Sequence, residues 1–459
     1  MGISASLFCS NDAEQQTLHR RISPTDVQIA GQMEYWNDLA DYLKPNLKDR
    51  SSCAISTWIQ GSYKFHTQIR PAKKGHEYDI DLGVYFDWPG TAESGPHDAD
   101  DLKDMVQASL AAYAADNNTD ALRVTSPKEY CSRIVFSPEF HIDVPAYHEA
   151  DDVRSLASAS NGFVDSDPWA IWDWWIACFE ESERARARRM VRYFKMWAAL
   201  KFNPKVETPP SSILLTVLIA KAYESVDLEG CSGDDEVLSG IIEQMVTQLD
   251  KNNSKKVANP VNDDEDLNRL GDDYDTFRDR LGEFLKVSQD ALEADSLPTA
   301  VEIWSGAFEH FFPLPAEEEL AKSITASGGA IVPVFIPDVE VTIRLPGGKS
   351  YVQKNAATNV PKDSYLDFRL VNYGQVPTNA FVKWVVRNEG VAAEAENDLG
   401  HFGGYGAEHL NEHAEYKGRH FMDVTVSSHS RIVGMRRIPV SVLNIGLAKR
   451  LPKRLFRNR

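Results

Sequence analysis

Apolar residues recur with helical spacing at Ile29, Met33, Trp36, Leu39, Ala40 and Leu43, behind Ser23-Pro24-Thr25-Asp26, and this predicts an amphipathic opening helix that runs up to Pro45. β-like runs follow at 56–60 and 80–86, then a helix around 101–116 and strands at 122–125, 133–136 and 141–145. Strands mixed with helices point to an α/β lobe. From residue 172 to about 315 the pattern is helical, with a long candidate at 181–201 and an acidic, poorly patterned stretch at 262–275. Ser327-Gly328-Gly329 reads as a flexible break. Beyond it the period becomes two: Val339, Val341, Ile343 and Leu345, then Leu366, Phe368 and Leu370, then Val382, Trp384 and Val386, with turns at Pro346-Gly347-Gly348 and Asn388-Glu389-Gly390. That alternation predicts an antiparallel all-β domain. The expected fold class is therefore α+β, divided into residues 1–170, a helical lobe at 171–325 and a β domain at 330–459.

The strand at 80–86 lies in GHEYDIDLGVYF, where Asp79 and Asp81 flank Ile80. Alternate side chains of a strand share a face, so both carboxylates lie on one surface and Ile80 faces the core. Two like charges that close are unfavourable unless a hard divalent cation lies between them, and open oxygen-rich coordination suits magnesium bound with substrate phosphates. D-x-D alone is weak, because an amphipathic strand often shows alternate acids to solvent. Its neighbours strengthen it. In IQGSYK, Gly61 lets backbone approach a phosphate, and Ser62 offers a hydroxyl and an amide at the start of a helix, although Gly-Ser is also common in plain turns. In FHIDVPAY, Asp143 sits between Ile142 and Val144, and an acid inside an apolar strand is costly without a partner, which a shared cation would supply. Asp79, Asp81 and Asp143 are the candidate catalytic and metal-holding residues, and the chemistry they point to is nucleotidyl transfer.

Composition narrows the class. At 459 residues with 42% hydrophobic and 25% charged positions, the chain is ordinary for a soluble protein of two or three domains. No stretch is apolar enough to cross a bilayer, and no secretory signal is readable, so a cytoplasmic protein is expected. Five scattered cysteines without a C-x-x-C read as reduced, mostly buried thiols, with neither a disulfide framework nor a zinc site. A net charge of −19 sets the surface as a whole against nucleic acid, yet leaves room for a local cationic pocket that takes a few phosphates. Basic residues cluster at 184–192 and at 449–459.

In the first cluster Arg188, Arg192 and Lys195 share one stripe of a helix beside the apolar stripe of Met190, Phe194 and Trp197. Most of these arginines read as a solvated surface, whereas Lys195 lies among residues that should be buried. Ser211-Ser212, after Pro209-Pro210, fits a helix N-cap equally well as a ligand. His66, His76, His141 and His148 show no metal spacing and are read as hydrogen-bonding residues; Tyr63 reads as a packed aromatic.

With QGSYK, HEYDIDLGVYF, HIDVPAY, RYFKMWAAL with its following PSS, and IWSGAFEHFFP in place, residues 20–315 resemble the CD-NTases, the bacterial cGAS/DncV-like nucleotidyltransferases of antiphage signalling systems. The resemblance implies a polymerase-β-like core joined to a helical lobe. It implies that Asp79, Asp81 and Asp143 hold two Mg²⁺ ions, with Mn²⁺ as an alternative, that Gln60, Gly61 and Ser62 meet phosphates, and that Lys195 and Ser212, or Ser211, meet the donor triphosphate. The β region, through FVKWVVRNEG and AEYKGRHFMDV, resembles the AGS-C sensor domain, which implies a ligand that no residue identifies. The expected function is joining of nucleoside triphosphates into a cyclic di- or oligonucleotide messenger in antiphage defence, read by a downstream effector protein. Transfer of a nucleotide to a protein, RNA end or small molecule is the enzymatic alternative, and a catalytically inactive nucleotide-sensing module is the other.

Overall fold

The computed structural model describes residues 2–13, 15–116, 119–137, 140–314, 335–406, 408–428 and 431–443; the expected break at 327–329 and the basic residues 449–459 lie outside them. The chain forms two compact units, Met1–Cys9 with Ile22–Lys286, and Ser10–Arg21 with Val287–Arg459. Both short leading helices, α1 (Ala5–Phe8) and α2 (Leu18–Ile22), precede the long helix α3 (Asp26–Ser51).

A capping box starts α3: the Thr25 hydroxyl accepts from the Gln28 amide at 3.2 Å while the Thr25 amide donates to Gln28 Oε1 at 2.9 Å. The helix does not stop at Pro45 as its sequence pattern predicts, but carries through to Ser51. Proline removes one backbone hydrogen bond, and burial of Leu43 and Leu47 on either side of it outweighs the loss.

Behind α3 lies an eight-stranded sheet. It comprises β1 (Ala54–Gln60), β2 (Tyr78–Asp87), β3 (Arg123–Val124), β4 (Ser132–Ser137), β5 (Phe140–Val144), β6 (Ala146–Ala150), β7 (Val153–Ser158) and β8 (Gly162–Asp165). Its order is β3-β4-β5-β2-β6-β7-β8, with β1 antiparallel to β2. β5 and β6 act as one strand interrupted at Pro145, the first half parallel to Tyr78–Asp81 and the second to Val84–Asp87 of β2. Strands β7 and β8 carry no clear alternation and escape a sequence reading. Ile80, Leu82, Val84 and Phe86, on one face of β2, join Leu39 and Leu43 of α3 and Leu102, Val106 and Leu110 of α5 (Ala99–Ala115) in a single buried cluster. The other face of β2 presents Asp79, Asp81, Gly83 and Tyr85.

The same unit continues with α4 (Gly61–Lys64) between β1 and β2, and then α6 (Pro168–Ala177), α7 (Glu181–Lys201), α8 (Ser212–Tyr223), α9 (Asp234–Lys251) and α10 (Tyr274–Leu292), the last crossing into the second unit. The acidic stretch at 262–275 forms half of a small hairpin, β9 (Ala258–Asn259) with β10 (Asn262–Asp266), and the start of α10.

In the second unit α11 (Leu297–Phe308) precedes two sheets. One runs β12 (Ser350–Lys354), β11 (Val339–Arg344), β14 (Tyr365–Leu370), β17 (His409–His413). The other runs β13 (Ala357–Pro361), β19 (Arg431–Leu443), β18 (Gly418–Ser428), β15 (Ala380–Asn388), β16 (Gly400–Tyr405). The period-two residues Val339, Val341, Ile343, Leu366, Phe368, Leu370, Val382, Trp384 and Val386 all enter the core between them. Pairing is antiparallel except for β13 with β19, which is parallel and corrects the expectation of a wholly antiparallel domain. The outer face of β15 and β18 is also buried: Arg387 donates to Asp423 at 2.6 Å and to the carbonyls of His310 and Phe312 at 2.6 and 2.7 Å, and Arg437 donates to Asp423 at 2.9 Å.

All five cysteines are free thiols, but only Cys53 is buried; Cys9, Cys131 and Cys231 are half-buried and Cys178 is exposed, which corrects the expectation of mostly buried thiols.

Candidate active site

Strand register assembles the site. Gln60 of β1 lies opposite Asp81 of β2, Asp81 is the parallel partner of Asp143 on β5, and Asp143 lies opposite Arg133 on β4. These four form one row across the sheet, and neighbouring strands are about 5 Å apart. Asp79 stands two residues along β2 on the same face, paired with His141. The expected convergence of the three acids is thus set by backbone pairing.

The turn from β1 into α4 completes the row. Gly61 adopts φ +58°, and a Cβ there would fall 2.0 Å from Asp81 Oδ2. Only glycine fits, for its conformation and for its closeness to the carboxylate. Ser62, half-buried, follows in α4. Gln60 itself is buried and donates through Nε2 to Tyr85 Oη at 2.9 Å while accepting from Tyr147 Oη at 3.1 Å. Those two tyrosine rings stack at 4.8 Å, and a Cβ at Gly83 would strike the Gln60 amide at 1.9 Å. The carboxamide of Gln60 is thus engaged as a strut beneath the turn.

Charge around Asp81 is unbalanced. Burial first, then the charges of Asp79 and Asp143, push its carboxyl up to about 7, against the opposing pull of Lys195 and Arg133. Asp143 differs: burial would raise it, but it accepts from Arg133 Nε at 2.6 Å and Nη2 at 2.8 Å and from Lys128 at 3.2 Å, which holds it below the usual carboxylate range. Lys195, on α7, donates to the Thr67 carbonyl at 3.2 Å. Burial lowers its ammonium to about 8, with Asp79 and Asp81 pulling it back up and Arg192 pushing it down. Asp79, Asp81, Asp143 and Lys195 therefore share one electrostatic neighbourhood.

The basic stripe of α7 is not a solvated surface. None of Arg184, Arg186, Arg188, Arg189 and Arg192 is exposed. Arg192 donates to the Gln68 carbonyl at 3.1 Å, and Arg189 grips Asp234 at 2.6 and 2.9 Å. The stripe ties the 67–68 loop and α9 to α7. Ser211 is the N-cap of α8, its hydroxyl accepting from Leu214 N at 3.3 Å, while Ser212 is exposed on the first turn.

The sequence reading missed Arg133 and Lys128, the partners of Asp143. Their signal was faint: Arg133 interrupts an apolar strand in much the same way as Asp143 does. It also missed the Tyr85–Tyr147 pair, whose hydroxyls look like ordinary core tyrosines in one dimension.

Among the described residues no group of three or more His, Cys, Asp or Glu side chains is already gathered closely enough to hold an ion. The Asp143 carboxylate is engaged by Arg133 and Lys128. The donor set nonetheless fits a hard divalent cation: it is all oxygen, it spans adjacent strands, and the excess negative charge at Asp81 is what such an ion would neutralise.

Residues 55–147 match the model of the nucleotidyltransferase domain of cyclic GMP-AMP synthase, DncV-like, and residues 338–443 match that of the adenylyl/guanylyl and SMODS C-terminal sensor domain. The chain is 30% identical over 443 residues to a cyclic GMP-AMP synthase of Escherichia albertii, covering 95% of this chain and 96% of that protein. It is 23% identical over 309 residues to a c-di-GMP synthase of Roseivirga ehrenbergii, covering 60% of this chain and 78% of that protein. Among solved structures, the Vibrio cholerae dinucleotide cyclase bound to GTP superposes with a TM-score of 0.58 at 18% identity, covering 68% of this chain and 97% of that one.

Proposed function

This chain belongs to the DncV-like family of cyclic dinucleotide synthases, nucleotidyltransferases that here carry a C-terminal sensor domain, and from that premise we propose that it joins ATP and GTP into a cyclic GMP-AMP messenger at the Asp79–Asp81–Asp143 row. One observation carries the reading: three acids in adjacent register with Gly61 backbone against the Asp81 carboxylate and a lysine, Lys195, in the same field.

A ribose hydroxyl oxygen attacks the α-phosphorus of the donor triphosphate; the new O–P bond forms as the bond to pyrophosphate breaks, and the hydroxyl proton leaves. Asp79, Asp81 and Asp143 would hold Mg²⁺, which when bound supplies activation of the attacking hydroxyl and neutralisation of the departing pyrophosphate. Asp143, kept ionised by Arg133 and Lys128, stands at the end of the row where the attacking hydroxyl would be oriented. Gly61 and Ser62 present backbone amides and a hydroxyl to phosphate oxygens, and Gln60 holds that turn in place through the two tyrosines. Lys195 as an ammonium meets the triphosphate, as does Ser212 at the α8 N-terminus. A second attack, after the linear intermediate turns over in the same site, closes the ring.

No helix among the described residues is long and apolar enough to cross a membrane. A cytoplasmic enzyme whose product is read by an effector protein in antiphage defence agrees with that, and the β unit is the sensor that responds to a ligand. The test incubates purified protein with ATP, GTP, CTP and UTP, singly and together, with Mg²⁺, and resolves the products by mass spectrometry after phosphatase treatment. A phosphatase-resistant cyclic dinucleotide that needs both purines and vanishes in Asp79→Ala/Asp81→Ala is expected. A mass shift on a macromolecule, or undiminished product from the double variant, overturns the reading.

A further inference from the structure

The basic stripe of α7 has one member that the fold does not use. Arg184 donates to the Ile176 carbonyl at 3.2 Å, Arg189 is held by Asp234, Arg192 by the Gln68 carbonyl and Lys195 by the Thr67 carbonyl. Arg188, half-buried among them, makes no hydrogen bond or ion pair among the described residues. Its Nε is closed off without a partner, whereas Nη1 and Nη2 are not, so the end of the guanidinium reaches solvent. Taking a cation partly out of water costs free energy that a partner normally returns.

Two further groups stand with it, and neither is sealed from solvent. Lys64, at the end of α4, is half-buried with its ammonium over the rings of Trp58 at 4.8 Å and Trp172 at 5.0 Å, and it too has no ion pair or hydrogen bond among the described residues. His66 is exposed, at φ +53°, in the turn whose next two carbonyls, those of Thr67 and Gln68, are taken by Lys195 and Arg192. That turn is thereby tied to the α7 stripe. Partial desolvation first, then the charges of Arg188, Arg192 and Lys64, hold the His66 imidazole below its usual range, so at neutral pH it is an uncharged ring with an N–H to donate. The neighbouring charge that bears on Arg188 is Arg184, again positive. In a chain of net charge −19, a group of cations answered only by cations is the reverse of the rest of the surface.

Arg188 precedes Lys195 by two turns of the same stripe, about 10 Å along the helix axis, and Lys195 feels Asp79 and Asp81. The stripe thus leads outward from the acid row. A guanidinium edge offers two N–H groups to two oxygens of one phosphate, an ammonium serves a second phosphate as a point charge, and a neutral imidazole donates to either. Two linked phosphates match that set, and nucleotidyl transfer releases them at every turnover.

We propose that Lys64, His66 and Arg188 form an anion site, separate from the acid row, that takes pyrophosphate as it leaves the reaction. The source of the pyrophosphate rests on the nucleotidyl-transfer reading; the site itself requires neither metal nor turnover.

The full chain, ¹⁵N-labelled at histidine and freed of metal, is titrated with pyrophosphate, the His66 resonances being assigned from His66→Gln. They are expected to move saturably with pyrophosphate and to stay in place with sulfate at equal ionic strength. Arg188→Gln should weaken the response about tenfold, Lys64→Gln severalfold, and Arg188→Lys should keep part of it. Arg188 has no partner to lose, so these variants should share the parent's denaturant midpoint. Lys195→Met should leave the His66 response intact, which separates this site from the donor triphosphate. Asp79→Ala/Asp81→Ala should leave it intact as well, so failure here and failure of the catalytic reading are distinct results. No shift with pyrophosphate, an equal shift with sulfate, a response undiminished in Arg188→Gln, or one abolished by Lys195→Met overturns the proposal.

Discussion

Asp81 in the first unit and Asp423 in the second occupy matching positions, each an aspartate in an apolar strand and each surrounded by charge, yet the charges around them have opposite signs. Asp423 lies between Arg387 and Arg437, with Arg387 further held by two carbonyls. Asp81, after burial, feels Asp79 and Asp143 most strongly, with Lys195 and Arg133 opposing them. A buried acid matched by arginines is a finished structural element. One set among other acids carries a charge that, on the proposed reading, a bound cation would neutralise.

Substitutions at the two positions should therefore diverge. The largest effect falls on catalysis: Asp79→Ala/Asp81→Ala should lower cyclic product by at least ~10³-fold, measured by mass spectrometry at fixed time, with the folded structure intact by circular dichroism. Next, Asp423→Asn leaves Arg387 and Arg437 without their anion and should destabilise the second unit by ~3–5 kcal/mol in denaturant titration. A gain or no change there would break the contrast.

Asp81→Asn should do the reverse in metal-free protein. Its folded pKa, about 7, lies above the unfolded value, so the native state binds this proton more tightly. The stability it contributes is present below the unfolded pKa and is lost as pH rises through about 7. The variant should match the parent at pH 4 and exceed it by ~1–3 kcal/mol at pH 8, where the parent must hold an ionised cluster. Denaturant midpoints across that range check it. Smallest is Lys195. Its ammonium, held at about 8, loses its proton as pH rises past that value, so kcat/KM should decline severalfold between about pH 7 and 9. Lys195→Arg should flatten that limb while lowering the plateau.

The same pair explains how far the sequence could be read. The period-two pattern, the D-x-D strand and the Gly-Ser turn are local, so the β domain, the shared face of Asp79 and Asp81 and the place of Gly61 were all legible. Asp143 was flagged from its place inside an apolar strand, but its partners Arg133 and Lys128 were not, because cross-strand register brings Arg133 opposite it. By the same rule Asp423, in FMDV, deserved equal suspicion, and nothing local separates it from Asp143 in HIDV. Partners from other strands decide each case. The helix that ran through Pro45, the arginines of α7 that bind carbonyls and a carboxylate rather than solvent, and the parallel β13–β19 pair are likewise tertiary outcomes that override local signals.

Calorimetric titration of a non-hydrolysable GTP analogue, with and without Mg²⁺, into the parent chain and into Asp79→Asn/Asp81→Asn tests the unbalanced acid row most directly. Mg²⁺-dependent binding in the parent that disappears in the double variant is the predicted result. Binding of equal strength in both, or binding in the parent indifferent to Mg²⁺, would contradict the account.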